Sequence, residues 1–202
     1  MENIYKEYVI SHYNRTLQLF GDRPDAVGWS SEGQLARFGD LIKTGHDIRG
    51  KKVLDYGCGK GDFYRFLKSR DIAVSYTGFD INEKLINLAK SKYPECRFEV
   101  FDIEEDTLTE DFDFIFLCGV FNLRMAGLDE TVRGVLKKLF KHCRLTLCFN
   151  GLSAHTPRKA FDLHYIYPED MVEFARQDLS PHVALGQGSI PHDIILFIHK
   201  NI

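Results

Sequence analysis

The chain has 202 residues, 44% of them hydrophobic and 27% charged, and its 26 Lys and Arg against 29 Asp and Glu give a net charge of −3. This length suits one domain. No uncharged apolar stretch approaches the ~20 residues that cross a bilayer, and the first segment is unlike a secretory leader. We therefore expect a cytoplasmic protein. Five cysteines without a CxxC pair argue against a disulfide scaffold and structural zinc, and the near-neutral charge argues against nucleic acid as the main partner.

The first fifty residues predict two helices joined by a loop. Apolar and aromatic side chains recur at steps of three and four over residues 5–13 and again over 35–42, which is the spacing of one helix face. The segment between them, GDRPDAVGWSS, carries the Gly and Pro residues typical of a loop. Ser30 or Ser31 stands where a hydroxyl caps the second helix.

From Lys51 onward, short apolar strands alternate with helices. The predicted strands are 51–56, 74–80, 97–102, 112–119, 145–150, 182–187 and 193–200, and the predicted helices are 62–70, 82–93 (capped by Asn82), 127–144 and 168–177. This alternation predicts a mostly parallel sheet with helices on both faces. The nearly continuous apolar run at 112–119 is typical of a central strand. The connection GSIPH is too short for a crossover helix, so the last two strands are expected to pair antiparallel.

The turn after the first strand carries the first chemical signal. It reads Asp55-Tyr56-Gly57-Cys58-Gly59-Lys60-Gly61-Asp62, and its glycines permit positive φ and a close ligand approach. A dinucleotide fingerprint would need glycine at position 62, and a phosphate-binding Walker loop would need Ser or Thr directly after Lys60. A phosphate ligand is therefore disfavoured.

The segment VLDYGCGKGDF, residues 53–63, resembles the first motif of the class I S-adenosylmethionine-dependent methyltransferases. The features that follow that motif in the family stand here in the same order: Asp80 ends the second predicted strand, Asp102 the third, and Cys118-Gly119 the fourth. The resemblance implies an α/β, Rossmann-like three-layer sandwich with a seven-stranded, mostly parallel sheet and an antiparallel last strand. It further implies a single methyltransferase domain over 1–202, with a helical cap or lid at 1–50 and a cofactor-binding core at 51–202.

The resemblance also implies S-adenosylmethionine as cofactor and S-adenosylhomocysteine as product. At the methionine end, Gly57 and Gly59 let the backbone lie against the ligand, with Cys58 between them. Asp55 holds this loop or meets the amino group through water, and the carbonyl of Cys118 accepts from the ammonium. Arg37, in the helix before the first strand, is expected to reach the cofactor carboxylate bidentately.

At the adenosine end, the expected groups follow the second and third strands. One carboxylate, Asp80, can accept from both ribose hydroxyls, because an acceptor pair matches a donor pair. Ile81 flanks the adenine, Asp102 accepts from its exocyclic amine, and Ile103 packs on the ring.

The acceptor is less defined than the cofactor. Cys118-Gly119-Val120-Phe121-Asn122 differs from the Asn/Asp-Pro-Pro-Tyr/Phe motif of the resembling adenine-amine and glutamine-amide enzymes, and the strand end carries no acidic residue for a metal, so no metal is expected. The abundance of aromatic residues favours a small, partly apolar acceptor. The substrate candidates are Tyr13, Trp29, Asn122 and Tyr165, and His155 or His164 is the general base if one is used.

Two alternatives stay open: methylation of a protein or RNA, and a methyltransferase-like protein that binds without transfer. The basic stretch KKLFKHCR is interpreted as cations at a helix end, where they meet the macrodipole, rather than as a nucleic-acid surface. We expect a monomer or homodimer with no membrane partner.

Overall fold

Seven strands form one sheet in a computed structural model that describes residues 3–186 and 188–201. The strands are β1 Lys52–Tyr56, β2 Ser75–Asp80, β3 Arg97–Val100, β4 Phe112–Cys118, β5 Cys143–Leu152, β6 Val183–Gly186 and β7 Asp193–His199. Their order is β3-β2-β1-β4-β5-β7-β6. β7 runs antiparallel to β5 and β6, and the other neighbouring pairs are parallel. The predicted fold class and closing antiparallel pair are confirmed, although Gln187, placed in the sixth strand, lies outside the described residues.

Helices cover both faces of this sheet. They are α1 Asn3–Phe20, α2 Ser31–Leu41, α3 Asp62–Ser69, α4 Glu83–Lys92, α5 Leu128–Lys141 and α6 Pro168–Asp178, with a 3-10 turn at Pro24–Val27. Both predicted capping sites are found: the Ser30 hydroxyl accepts from the Gly33 N–H at 3.1 Å, and the Asn82 side chain accepts from two N–H groups of α4.

Two apolar clusters, one on each face, hold the three layers together. β4 shows why a central strand is mostly apolar: Phe114 and Phe116 pack with α2, α3 and α4 on one face, whereas Ile115 and Leu117 pack with α5 and α6 on the other. All four side chains have zero exposure. Because alternate residues of a strand point to opposite faces, the part of β4 that lies between the two helical layers is apolar on both faces, and the polar Asp113 lies near the start of the strand.

The structure corrects two predicted boundaries. β3 ends at Val100, so Asp102 lies in the following loop, where it accepts the Glu104 N–H at 2.9 Å. α5 ends at Lys141, whereas a helix to residue 144 was predicted, because Cys143 pairs with β4 as the first residue of β5. Among the described helices, none is long and apolar enough to cross a membrane.

Candidate active site

An open cavity, with about 940 Å³ of empty space that includes part of the open solvent, lies beyond the carboxyl ends of β1, β2 and β4. Its wall includes the glycine loop after β1, the ends of β2 and β4, the loop after β3, and the N-terminal segment. From α1 come Lys6, Val9 and Tyr13. The carboxyl ends of parallel strands meet at one edge of a sheet, and ligands bind there near the point where strand order reverses. The order β2-β1-β4 places that point beside β1.

The glycine loop requires its glycines. Gly57 and Gly59 have φ values of 77° and 53°, a region that costs other residues roughly 1–2 kcal/mol. A Cβ on Gly57 would lie 2.5 Å from Val120, and one on Gly59 would meet only Val27 at 3.5 Å. The loop is fixed by the N–H groups of residues 57 and 58, which both donate to the Phe79 carbonyl. The backbone at Gly59 is thus the more open part of this cradle.

Asp80, at the end of β2, borders the cavity. Its Oδ2 accepts from the Gly59 N–H and its Oδ1 from the Asn82 N–H, both at 2.8 Å. Burial raises the pKa of Asp80, against the effect of these backbone hydrogen bonds. Each carboxylate oxygen has more than one lone pair, so both oxygens retain the capacity to accept from a ligand.

The other predicted adenosine carboxylate, Asp102, also borders the cavity, but it already forms an ion pair with a residue of α1. Lys6 Nζ lies 2.5 Å from Asp102 Oδ2 and 2.6 Å from Glu105 Oε1. The two predicted adenosine carboxylates therefore differ: Asp80 is held by backbone N–H groups, and Asp102 is paired with a lysine.

Of the predicted adenine neighbours, Ile81 lines the cavity, whereas Ile103 lies in the core under α5. The Ile103 N–H donates to the Tyr56 hydroxyl at 3.3 Å, and its carbonyl accepts from Lys138. Phe101 takes the place in the cavity wall that was expected for Ile103. Its ring stacks on Phe79, with the ring centroids 4.4 Å apart. Because β3 already ends at Val100, the chain turns before residue 103. Phe101, and not Ile103, therefore faces the cavity.

A smaller adjoining cavity, with about 360 Å³ of empty space that likewise includes open solvent, shares the glycine loop with the first, and Asp55, Cys58 and Cys118 line it. The Tyr76 hydroxyl donates to Asp55 Oδ2 at 2.5 Å. Burial raises the pKa of Asp55 to about 7. Burial also raises the pKa of the Cys58 and Cys118 thiols, which keeps them protonated and makes them poor nucleophiles.

A buried ion pair joins this loop to the N-terminal segment, and the sequence reasoning missed it. The Lys60 side chain is fully buried, with Nζ 2.5 Å from Asp62 Oδ2 and 3.3 Å from Asp22 Oδ1. Gln34 of α2 donates to the same Asp62 oxygen at 3.1 Å. The sequence offered one sign of this pair, which is that Lys60 lies between two glycines of the turn. A lysine in a turn is ordinarily expected to extend into solvent, so the pattern alone does not predict burial.

Arg37 does not take the predicted position at the cavity. Its Nε lies 2.6 Å from Asp193 Oδ2, and its Nη2 donates to Asp193 Oδ1 at 2.9 Å. The guanidinium also stacks on the Trp29 ring, 4.2 Å from the centroid. Trp29 does line the cavity and packs on Gly119. The bidentate partner of Arg37 is therefore the buried carboxylate of Asp193, at the start of β7. Arg37 contacts the cavity wall only indirectly, by stacking on Trp29.

The fold is shared with solved methyltransferases. Magnesium protoporphyrin IX methyltransferase from Synechocystis, crystallised with bound SAH, has a TM-score of 0.70 at 14% identity, covering 98% of this chain and 99% of that one.

Sequence comparison agrees with this fold. Residues 53–144 match a family described as a methyltransferase domain. A putative methyltransferase of Mycobacterium tuberculosis is 26% identical over 154 residues, covering 73% of this chain and 92% of that protein. Together, the matched domain and the shared fold support a class I S-adenosylmethionine-dependent methyltransferase. A putative methyltransferase of Invertebrate iridescent virus 6 is 33% identical over 140 residues, 64% of this chain and 52% of the viral protein. Trans-aconitate 2-methyltransferase of Escherichia coli is 36% identical over 66 residues, 33% of this chain and 26% of that enzyme.

The predicted acceptor residues of this methyltransferase divide into two groups. Tyr13 and Trp29 line the cavity. Asn122 and Tyr165 lie outside its wall: the Asn122 carbonyl accepts from the His164 N–H at 2.8 Å, and the Tyr165 hydroxyl accepts from the Ala160 N–H at 2.8 Å. Both belong to the packing between the loop after β4 and the connection after β5.

Neither predicted base lies in the cavity wall of the methyltransferase. The side chain of His155 is 58% exposed, with Nε2 2.9 Å from Glu169 Oε2. His164 Nε2 lies 3.1 Å from Asp129 Oδ1 at the start of α5. Both rings thus pair with carboxylates outside the cavity.

Two further features bear on partners. Among the described residues, no group of three or more His, Cys, Asp or Glu side chains is placed to hold a metal ion. Three cations of the basic stretch have local partners: Lys137 Nζ lies 3.2 Å from Asp178, Lys138 donates to the Ile103 carbonyl, and Arg144 Nε lies 3.6 Å from Asp111. Lys138 and Lys141 lie in the last turn of α5, as the helix-end interpretation expects, whereas Arg144 lies in β5.

Proposed function

We propose that this methyltransferase transfers the methyl group of S-adenosylmethionine to a small, partly apolar molecule. The observation that carries the proposal is the cavity itself, whose carboxylates are confined to the adenosine side while the wall around the end of β4 is apolar. Trp29, Val120, Phe121, Leu123 and Met125 form that part of the wall. Two of the similar proteins, by their names, act on small molecules: magnesium protoporphyrin IX and trans-aconitate.

The residues present fit the cofactor. We assign the ribose to Asp80, whose two oxygens each keep acceptor capacity, and the adenine to the space between Ile81, Phe101 and Asp102. Asp102 meets the exocyclic amine only by sharing its carboxylate with Lys6, which lies 2.5 Å away.

We assign the methionine end to the smaller cavity. Gly57 and Gly59 allow the backbone to lie against it, the Cys118 carbonyl accepts from the ammonium, and the Asp55 carboxyl group lies nearby as a further hydrogen-bonding group. In this assignment Val120, which covers Gly57, moves aside when the ligand lies on the loop.

The bound cofactor supplies an already activated methyl group on its sulfonium. The protein then has to align the acceptor with that group and exclude water, and positioning of this kind saves roughly 7–11 kcal/mol in well-aligned intramolecular reactions. The titratable side chains near the apolar wall are poor bases at neutral pH, because burial raises the pKa of Tyr13 to about 12 and raises that of the Cys118 thiol. We therefore infer an acceptor atom that needs no protein base to remove a proton before it attacks, such as a thiolate or an unprotonated amine.

Calorimetric titration with S-adenosylmethionine and S-adenosylhomocysteine tests the cofactor part. Both should bind, and Asp80→Asn should weaken both at least about tenfold, because an amide cannot satisfy two N–H groups and accept from a ribose. The matched control is Asp71→Asn, an exposed carboxyl in the loop before β2, which should bind as the wild type does. No binding of either ligand to the wild type would overturn the cofactor assignment.

The acceptor part requires a separate experiment. A cell extract is divided by ultrafiltration, and transfer of a labelled methyl group from S-adenosylmethionine is measured in each fraction. We expect label in the small-molecule fraction. Label confined to the protein or RNA fraction would refute a small acceptor while leaving the cofactor assignment intact.

A further inference from the structure

α1 forms part of the wall of the cofactor cavity. Lys6, Val9 and Tyr13 line it at spacings of three and four, which places them on one face of the helix. Three contacts hold the helix there: Lys6 pairs with Asp102 at 2.5 Å, Asn82 donates to the Ile10 carbonyl at 3.2 Å, and the Thr16 hydroxyl donates to the Ala26 carbonyl at 2.7 Å. The helix is thus attached to the same loops that carry the adenosine carboxylates.

Tyr13 stands out on this face because its hydroxyl has a cavity beside it and no bonding partner. Among the described residues, no side chain or backbone group forms a hydrogen bond with this hydroxyl. Elsewhere on Tyr13, the carbonyl accepts from the Thr16 hydroxyl, and the ring packs edge to face with His12. Tyr13 and Asp80 line the same cavity. Burial, and next the charge of Asp80, raise the pKa of Tyr13, so the phenol stays protonated.

We propose that Tyr13 binds the ribose of the cofactor, with its hydroxyl donating to the oxygen of one ribose hydroxyl while Asp80 accepts from the ribose hydroxyls. The proposal rests on the proposed function and assigns Tyr13 to the cofactor, whereas the sequence predicted an acceptor contact. A ribose hydroxyl is both donor and acceptor. Asp80 offers acceptors alone, and the Tyr13 hydroxyl adds the missing donor from the opposite wall.

Calorimetry with S-adenosylhomocysteine and its 2′-deoxy and 3′-deoxy analogues tests this assignment. Tyr13→Phe removes only the hydroxyl, and one neutral hydrogen bond corresponds to a loss of about two- to tenfold in affinity. The loss should be present with S-adenosylhomocysteine and should disappear with the one analogue that lacks the bonded oxygen, as in a double-mutant cycle. Tyr8→Phe, an exposed tyrosine of the same helix, is the matched control and should bind all three ligands as the wild type does.

Two results would overturn the role of Tyr13. The first is equal affinity of Tyr13→Phe and wild type for S-adenosylhomocysteine. The second is an equal loss with all three ligands, which would mean that the hydroxyl acts on the helix and not on the ribose. A wild-type protein that binds none of the ligands would instead overturn the proposed function, so the two failures are distinguishable.

Discussion

We expect Asp55→Asn to abolish a loss of stability that the wild type shows between about pH 4 and pH 7. Asp55 is 2% exposed at the end of β1, and it accepts a hydrogen bond from Tyr76. Burial raises its pKa from 3.8 to about 7, and the charges of Asp80 and Asp62 act in the same direction. An asparagine has nearly the same shape and can still accept from Tyr76, but it does not titrate.

The magnitude follows from linkage. Between pH 4 and 7 the folded protein keeps a proton on Asp55 that the unfolded chain has released, so the free energy of unfolding falls as pH rises. The penalty is absent below the unfolded pKa and complete above the folded one. A shift from 3.8 to about 7, at 1.36 kcal/mol per unit, corresponds to about 4 kcal/mol.

Urea unfolding of the ligand-free protein at several pH values between 4 and 7.5 measures this difference. The stability of Asp55→Asn relative to wild type should increase steadily with pH, by about 4 kcal/mol in total. Asp162→Asn, an exposed carboxyl, should follow the wild type across the range. A difference between Asp55→Asn and wild type that stays constant with pH would refute the conclusion that Asp55 is protonated in the folded state.

Two further predictions concern the acceptor side. Gly119→Ala should destabilise the protein by about 2–4 kcal/mol, because its φ of 66° is left-handed and its Cβ would overlap Trp29; Gly127→Ala, at a φ of 69° with open space around it, should lose only about 1 kcal/mol. Equal thermal shifts in the two variants would contradict a close Trp29 contact. His155→Ala and His164→Ala should each retain the wild-type rate of single-turnover methyl transfer, since neither ring lines the cavity; a loss of about a hundredfold in either would instead identify a general base.

The cofactor half of the site could be anticipated from order along the chain. The glycine loop, Asp80 and Cys118 each follow a recognisable apolar strand, and parallel strands bring their carboxyl ends to one edge. The helix cap at Asn82 is similarly local, since the side chain bonds N–H groups two and three residues ahead. Ile103 was misplaced because one early strand end changes which residue faces the cavity.

Long-range pairing decided the rest. Arg37 and Asp193 are 156 positions apart, and Lys6 and Glu105 are 99 apart, so no local pattern indicates that these charges meet. The sequence alone determined the sheet, the glycine loop and the cofactor class, because those depend on strand order and short-range geometry. The tertiary structure decided that Arg37 supports Trp29, that Lys6 pairs with Asp102 and that Tyr13 lines the same cavity as Asp80. A buried charge takes whichever opposite charge packing brings within reach, and only the folded chain specifies that neighbour.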